Sequence, residues 1–423
     1  MRKTLSLIFG AAALMAATPL LSAEPRGDEP VAVPTYIEQG IDFVYVDPQM
    51  SSVATRKQKP RNWLQRIFSG SRGARSEPNP VFLQLADGLE QYRATWGALP
   101  QADIAAGPVL KTGSSGRRVE ALRARLGLPR AGGYDDALFG RVTEYQRVHG
   151  LSPIDGIAGR ATIASLNLGA QYYERRIAIN MERAWRLPAT RAFGRYVVVD
   201  SGAAEAYLFD GDRLADSMRV VVGSAKTKTP MMAVIMRTAK VNPYWNVPPD
   251  LTRTLTAKRI REQGLSYLDS FHYEVLADWS EDAQPIDPKT VDWREVERGK
   301  RDVHVRQLPG PWNSMGAMKF EMPNDYGIYL HDTPHKELFA QDDRWLSNGC
   351  VRLEDYRRFA NWVFGEVPRA STPREQHFDL PRPVPIYMTY LTVEPDARGL
   401  VFRPDPYGFD ALAMPQMEFN RAG

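Results

Sequence analysis

Apolar positions along this chain change their spacing twice, and each change marks a new kind of structure. In residues 81 to 95 (VFLQLADGLEQYRAT), Val81, Leu83, Leu85, Leu89 and Tyr92 recur at intervals that bring them to one side of a helix. From 107 to 169 the pattern breaks into short helical runs separated by turn signals. Gly113-Ser114-Ser115-Gly116 leads into VEALRARLGL, with Val119, Leu122 and Leu126 in phase. FGRVTEYQRVHGL places Phe139, Val142 and Tyr145 three apart, and Asp155-Gly156 and Ala158-Gly159 precede a third run, ATIASLNL. A small three-helix bundle is the expected result. A connecting helix follows, ERRIAINMERAWRL, within 170 to 194. Beyond 195 the period shortens. RYVVVDSG, AEAYLFDGDRLADSMRVVVGS and AVIMRTAKVNPYWNV are alternating or β-branched runs cut by turns, which predicts a mostly-β domain over 195 to 395. Residues 250 to 325 interrupt it with the helix-like RTLTAKRIREQGL and a polar stretch rich in Pro and Trp, read as an insertion lying over a groove. The tail from 396 to 423 is rich in Pro and Asp and predicts a strand or loop with a frayed end. The fold class expected is therefore α+β and multidomain.

The two ends of the N-terminal region change the picture of where this fold works. Arg2 and Lys3, the apolar run from Leu5 to Leu21 and the small residues Leu21-Ser22-Ala23 have the form of a cleaved export signal over 1 to 23. The run is short for a bilayer span, which argues against an anchor. Residues 24 to 78 read as a basic linker. Within it Arg56 to Arg75 carries seven basic residues and no acidic one, with Trp63, Leu64, Ile67 and Phe68 interspersed; an amphipathic foot on an anionic surface is the functional alternative to a solvated linker. A helix at 79 to 106 would join the linker to the bundle.

The 423 residues, 43% hydrophobic and 25% charged, have the composition of an ordinary globular protein. The formal charge is +4, and loss of Arg2 and Lys3 with the signal takes it to +2, too little to argue for a nucleic-acid partner. No Gly-rich phosphate loop and no CxxC is present, so neither cofactor nor zinc is expected. The chain has one cysteine. An exported protein usually pairs its cysteines, so a lone one is either inert and buried or a reactive thiol.

The stretch 326 to 352, YGIYLHDTPHKELFAQDDRWLSNGCVR, decides between these. Ile328-Tyr329-Leu330-His331 reads as a strand ending in a histidine. Fifteen residues separate His331 from Ser347-Asn348-Gly349-Cys350-Val351-Arg352. A cysteine nucleophile needs a stabilised thiolate, a base in reach and donors for an oxyanion. The run LEDYRRFANWVFG predicts a helix directly after Cys350, whose dipole would favour the anion. His331 is the candidate base, the N–H groups of Gly349 and Cys350 are candidate oxyanion donors, and Arg352 can receive a carboxylate in bidentate fashion. His335 lies four residues after His331, but Pro334 intervenes and breaks the helix that a metal pair would need, so no metal site is expected. Trp245, Trp312 and Phe320 stand in segments that suit either a core or a groove and lid.

This arrangement resembles the YkuD-type L,D-transpeptidase domain, whose pattern is a histidine, about fifteen residues, then Ser-His-Gly-Cys and an apolar-Arg or apolar-Asn tail. VVVGSAKTKTPMMAVI, VNPYWNVPPDL, LPGPWNSMGAMKFEMPN and IYLHDTP are similar to the larger YcbB-like Gram-negative branch, and GSSGRRVEALRARL, FGRVTEYQRVHGL and DGIAGRATIASL resemble the peptidoglycan-binding domain type 1. The resemblance implies a periplasmic cysteine acyltransferase of cell-wall biogenesis, acting on peptidoglycan stem peptides and open to carbapenem-type inhibitors. It assigns Cys350 as nucleophile, His331 as base, the Asp332 backbone carbonyl as the group orienting His331, and Gly349 as an oxyanion donor. Arg352, Tyr329, Ser347, Asn348, Trp245 and Trp312 are then the candidate substrate contacts. Asn348 departs from the pattern: it replaces the usual histidine and cannot titrate. Hydrolysis of the thioester, lipoprotein anchoring, or an inactive wall-binding scaffold remain the alternatives.

Overall fold

The computed structural model describes residues 43–45, 79–188, 194–280 and 283–416. The export signal read at 1 to 23 and the basic stretch at 56 to 75 lie outside them. Among the described residues no helix is long and apolar enough to cross a membrane. The stretch read as a linker is not wholly one, because β1 (Phe43–Tyr45) pairs in parallel with β5 of the main sheet.

The helical part starts at α1 (Pro80–Tyr92), where the Asn79 side chain accepts the Phe82 N–H at 3.0 Å and Pro80 presets the first turn. Its buried face is Val81, Phe82, Leu85, Leu89 and Tyr92, while Leu83 is exposed. The expected face was thus rotated: Phe82, not Leu83, completes the stripe. Helices α2 (Arg117–Arg125), α3 (Asp136–Val148) and α4 (Arg160–Asn167) follow, with Leu138 rather than the exposed Phe139 turned inward on α3. Then comes α5 (Ala170–Trp185).

The strands are β2 (Arg195–Asp200), β3 (Glu205–Asp210), β4 (Arg213–Gly223), β5 (Met231–Val241), β6 (Trp245–Asn246), β7 (Tyr273–Leu276), β8 (His304–Gln307), β9 (Met318–Glu321), β10 (Leu330–His331), β11 (Trp345–Ser347), β12 (Val351–Leu353), β13 (Gln376–Thr389), β14 (Val393–Asp396) and β15 (Gly399–Phe402). The main sheet runs β5-β13-β2-β3-β4-β12-β10-β9, and β9 also pairs with β5, so the sheet closes on itself. Alternate residues of these strands, among them Val197, Leu208, Val220, Met232, Phe320, Leu330 and Val351, fill one core. Helix α6 (Tyr356–Phe364) adds Phe359 to it; Phe320 and Phe359 meet edge to face at 4.7 Å. Phe320 is therefore core rather than groove lining, and its truncation would cost about 3–5 kcal/mol. The opposite faces of β2, β3, β5 and β13 present Tyr196, Val198, Phe209, Ile235 and Tyr387 to the core of the helical part.

The insertion has a core of its own, built on Val247, Ile260, Leu268, Val275, Trp293 and Val305 around the small sheet β6-β8-β7. Its extent differs from 250 to 325: β6 lies before that range, and β9, inside it, belongs to the main sheet. The tail is not frayed through residue 416. The hairpin β14–β15 and helix α7 (Phe409–Ala413) clamp α5, with Asp410 of α7 accepting from Arg176 at 2.8 Å and Arg183 at 2.6 Å. Thr392 and Asn180 exchange two further bonds, at 2.7 and 2.9 Å. Such buried pairs are invisible to hydropathy, which scores the tail as polar.

Candidate active site

Short strand alternation produces the site. On β9, β10 and β12 the residues Phe320, Leu330, Val351 and Leu353 point into the core. The interleaved positions must face the other way. Register makes them neighbours: Lys319 is level with His331, and His331 with Arg352. Extending the Leu330–Val351 pairing back by one residue puts Cys350 level with Tyr329, and the Val351 N–H donates to the Tyr329 carbonyl at 2.9 Å. One face of adjoining strand ends thus carries Lys319, Tyr329, His331, Cys350 and Arg352.

His331 is buried. Its Nδ1 lies 2.5 Å from the Asp332 carbonyl oxygen, which only accepts, so Nδ1 carries the proton and Nε2 is left as the basic nitrogen. Asp332 is itself held: Oδ2 accepts the Ala317 N–H at 2.8 Å and Oδ1 accepts from Lys336 at 2.6 Å. A Cβ on Gly316 would stand 2.3 Å from Oδ2, and its φ of +62° suits glycine. Burial, with the charges of Arg352, Lys319 and Lys336 added, pushes His331 down to about 3 despite the opposing bond to Asp332. The imidazole is neutral at pH 7.

Cys350 is half-buried, with Sγ 3.5 Å from the Gly327 carbonyl oxygen. Burial raises its thiol; the Tyr329 backbone N–H and the charges of Lys319 and Arg352 oppose that rise without cancelling it. The resting pair is thus a neutral thiol and a neutral imidazole.

The expected helix dipole does not act here. Strand β12 follows Cys350, and α6 starts only after Asp355, whose side chain accepts the N–H groups of Arg357 and Arg358 at 3.0 Å each. Ser347 does not face a substrate: it is buried, its Oγ donates to the Cys350 carbonyl at 2.6 Å and accepts the Gly349 N–H at 3.1 Å. That bond already engages the Gly349 N–H read as an oxyanion donor. Asn348 is exposed at the tip of this loop. Arg352 Nε is buried with no hydrogen-bond partner among the described residues. Trp245 and Trp312 meet ring partners in the insertion. Trp245 sits on β6 beside Tyr273, and Trp312, 41% exposed, stacks on His272 at 3.6 Å. His335 faces Glu337 at the surface, and no cluster among the described residues is arranged to hold a metal ion.

Sequence reading missed the loop's support and one cation. Thr229 Oγ1 donates to the Gly349 carbonyl at 2.7 Å and accepts the Gly223 N–H at 2.8 Å. Ser224 and Thr227 hold the Ser347 carbonyl at 2.8 and 2.9 Å. From the tail, Tyr407 donates to the Gly223 carbonyl at 2.6 Å. The cation is Lys319, whose ammonium lies 3.6 Å from the centre of the Tyr329 ring. The alternation Met318-Lys319-Phe320-Glu321 was the signal that could have found it.

Residues 194–373 match the model of the YkuD L,D-transpeptidase catalytic domain. A Haemophilus influenzae protein named as an inferred L,D-transpeptidase is 30% identical over 243 residues, 56% of this chain. The match spans about half of that relative, 48% of its length. Among solved structures, the LD transpeptidase LdtMt1 in complex with imipenem gives a TM-score of 0.24 at 13% identity, covering 46% of this chain and 58% of that one. An L,D-transpeptidase from Mycobacterium smegmatis gives 0.22 at 13% identity with the same coverage. Overlap that loose carries no argument about fold or ligand. The family match is closer: residues 194–373 of this chain are similar to the YkuD L,D-transpeptidase catalytic domain, and the Haemophilus relative is similar over about half of its own length.

Proposed function

We propose that the chain is a periplasmic peptidoglycan L,D-transpeptidase working by cysteine acyl transfer. The observation that carries this reading is the tautomer of His331. Its Nδ1–H is fixed on the Asp332 carbonyl, so its Nε2 is a base on the sheet face that also bears the only thiol of the chain. His331 Nε2 takes the Cys350 proton as Sγ attacks the carbonyl on the L-centre of a diaminopimelate in a tetrapeptide stem. The Cys350 N–H faces the oxyanion. The C–N bond breaks, and His331 returns the proton to the departing D-alanine amine. An amine of a second stem then attacks the thioester, gives its proton to His331 and forms the crosslink, and the thiol is restored. Arg352, with an unsatisfied Nε, is the group assigned to a stem-peptide carboxylate. The helices α2 to α4 are assigned to docking on the wall. The same thiol should open the strained ring of a carbapenem and keep the drug as an adduct.

The test is mass analysis of muropeptides after purified protein meets tetrapeptide-rich sacculi. New dimers with free D-alanine support the reading. Trimmed monomers alone would make the protein a carboxypeptidase, and unchanged sacculi would make it a scaffold. Cys350→Ala should abolish the reaction, and His331→Ala should slow it about a hundred-fold, the scale of a lost general base. Dimer formation by a folded Cys350→Ala protein would refute the nucleophile.

A further inference from the structure

The acyl-transfer reading needs a thiolate, yet the two usual sources of its stabilisation are missing. Among the described residues α6, the helix after Cys350, starts only beyond β12, and His331 is too deeply buried to stand as an imidazolium in the resting site. Removing a thiolate from water without a counter-charge is costly. Some other group must supply that charge.

The groups facing Cys350 can be named strand by strand. On β10 is His331, with Tyr329 just before that strand, and on β12 is Arg352. On β9 are Lys319 and, two residues on, Glu321. Behind them stand Lys240 of β5, level with Lys319, and Glu375, just before β13. Glu375 lies 3.0 Å and Glu321 3.4 Å from the Lys240 ammonium. Glu321 also accepts from Thr238 at 3.2 Å. The Glu321 oxygen that meets Lys240 also stands 3.6 Å from the Lys319 ammonium, so this one carboxylate is shared between the two lysines. The Lys319 side chain is only 14% exposed, and its ammonium rests on the ring of Tyr329, the residue level with Cys350. A buried ammonium on an aromatic face that shares one carboxylate oxygen with a second lysine is only partly neutralised.

We propose that Lys319 is a positioning residue of this site: it is the standing counter-charge that makes the Cys350 thiolate accessible, and His331 only moves the proton. This deepens the acyl-transfer reading and rests on it. The burial that depresses Lys319 and the mutual influence of Lys319 and Cys350 agree with the geometry.

The test is the pH profile of Cys350 alkylation by iodoacetamide, followed by intact mass on the full chain, for the native protein, Lys319→Met and Lys319→Arg. Alkylation reports the thiolate alone, so it is independent of whether sacculi are crosslinked or trimmed. An opposite charge nearby typically lowers a pKa by 1–3 units, so Lys319→Met should slow alkylation at pH 7 by about ten-fold or more. The rates should converge at high pH, where every thiol is ionised, and Lys319→Arg should restore most of the rate. Coincident midpoints for the native protein and Lys319→Met would overturn the proposal. So would a Met variant slowed equally at all pH values with no rescue by Arg, because that pattern is packing damage. Failure of the crosslinking assay with the alkylation shift present would instead sink the transpeptidase reading and leave the charge pairing standing.

Discussion

Thr229→Val is the sharpest probe of how this site is held. Thr229 is fully buried, and its hydroxyl links two backbone groups, the Gly349 carbonyl at 2.7 Å and the Gly223 N–H at 2.8 Å. Valine has nearly the same shape, so packing is preserved and the perturbation is confined to those bonds. A buried polar group deprived of its partner costs about 1–3 kcal/mol, and two are created, so the loss should be about 2–6 kcal/mol if the loop stays in place. If the loop moves to find water, the loss is smaller but Cys350 leaves its position beside Tyr329. The loop has little other freedom: Gly349 has φ +114°, and a Cβ there would stand 3.0 Å from Ile328 Cδ1. The assay is urea unfolding together with the iodoacetamide rate of Cys350. Thr229→Val should lower the midpoint, the alkylation rate, or both, and Thr229→Ser should restore each. A valine variant within about 0.5 kcal/mol of native stability, the range of an inconsequential surface change, and with an unchanged rate would refute the claim that this hydroxyl holds the loop.

Gly349→Ala should reduce acyl transfer at least ten-fold with modest effect on folding, measured as thioester formation against melting temperature, because positive φ and the Ile328 contact both oppose a Cβ. Asp410→Asn should cost about 3 kcal/mol in urea unfolding at pH 7, since Arg176 and Arg183 lose a buried carboxylate. Burial alone would raise Asp410, but the two arginines more than reverse it, so its carboxyl lies below the usual range and its stabilisation is present above about pH 4. The native–variant gap should therefore narrow as pH falls below about 4, and a gap constant in pH would contradict the assignment. His149 and His331, both held to about 3 by burial against an ordinary 6.5, take up protons on unfolding between those values. Stability should fall as pH drops below about 6.5, and a flat urea midpoint from pH 7 to 5 would count against both environments.

What sequence alone determined here is short-range. Helical spacing marks α1 through α5 because each buries a stripe of its own residues, and alternation marks β2 to β5 for the same reason. Spacing did not settle which neighbour on α1 points inward: Leu83 and Phe82 both fit a stripe, and only packing against Trp185, whose ring meets Phe82 edge to face at 5.1 Å, chooses Phe82. Cys350 and His331 were legible as candidates because a single thiol in a Gly turn and an upstream histidine are local chemical signals. Their electrostatics were not. The helix after Cys350 was placed one strand too early, because Leu353 fits a helical stripe as well as a strand, and the N-terminal charge was lost with it. Lys319 enters the site only because β9 runs antiparallel to β10 in one register; a shift of one residue would send it into the core and bring Phe320 to the thiol. The tail looked polar and loose because Asp410 and Arg403 are read as solvated until their partners on α5 and β14 are in place. Periodicity is a property of neighbours along the chain. Register, the supports of the Gly349 loop and the charge facing Cys350 depend on residues brought together from distant strands, and tertiary structure alone decides which they are.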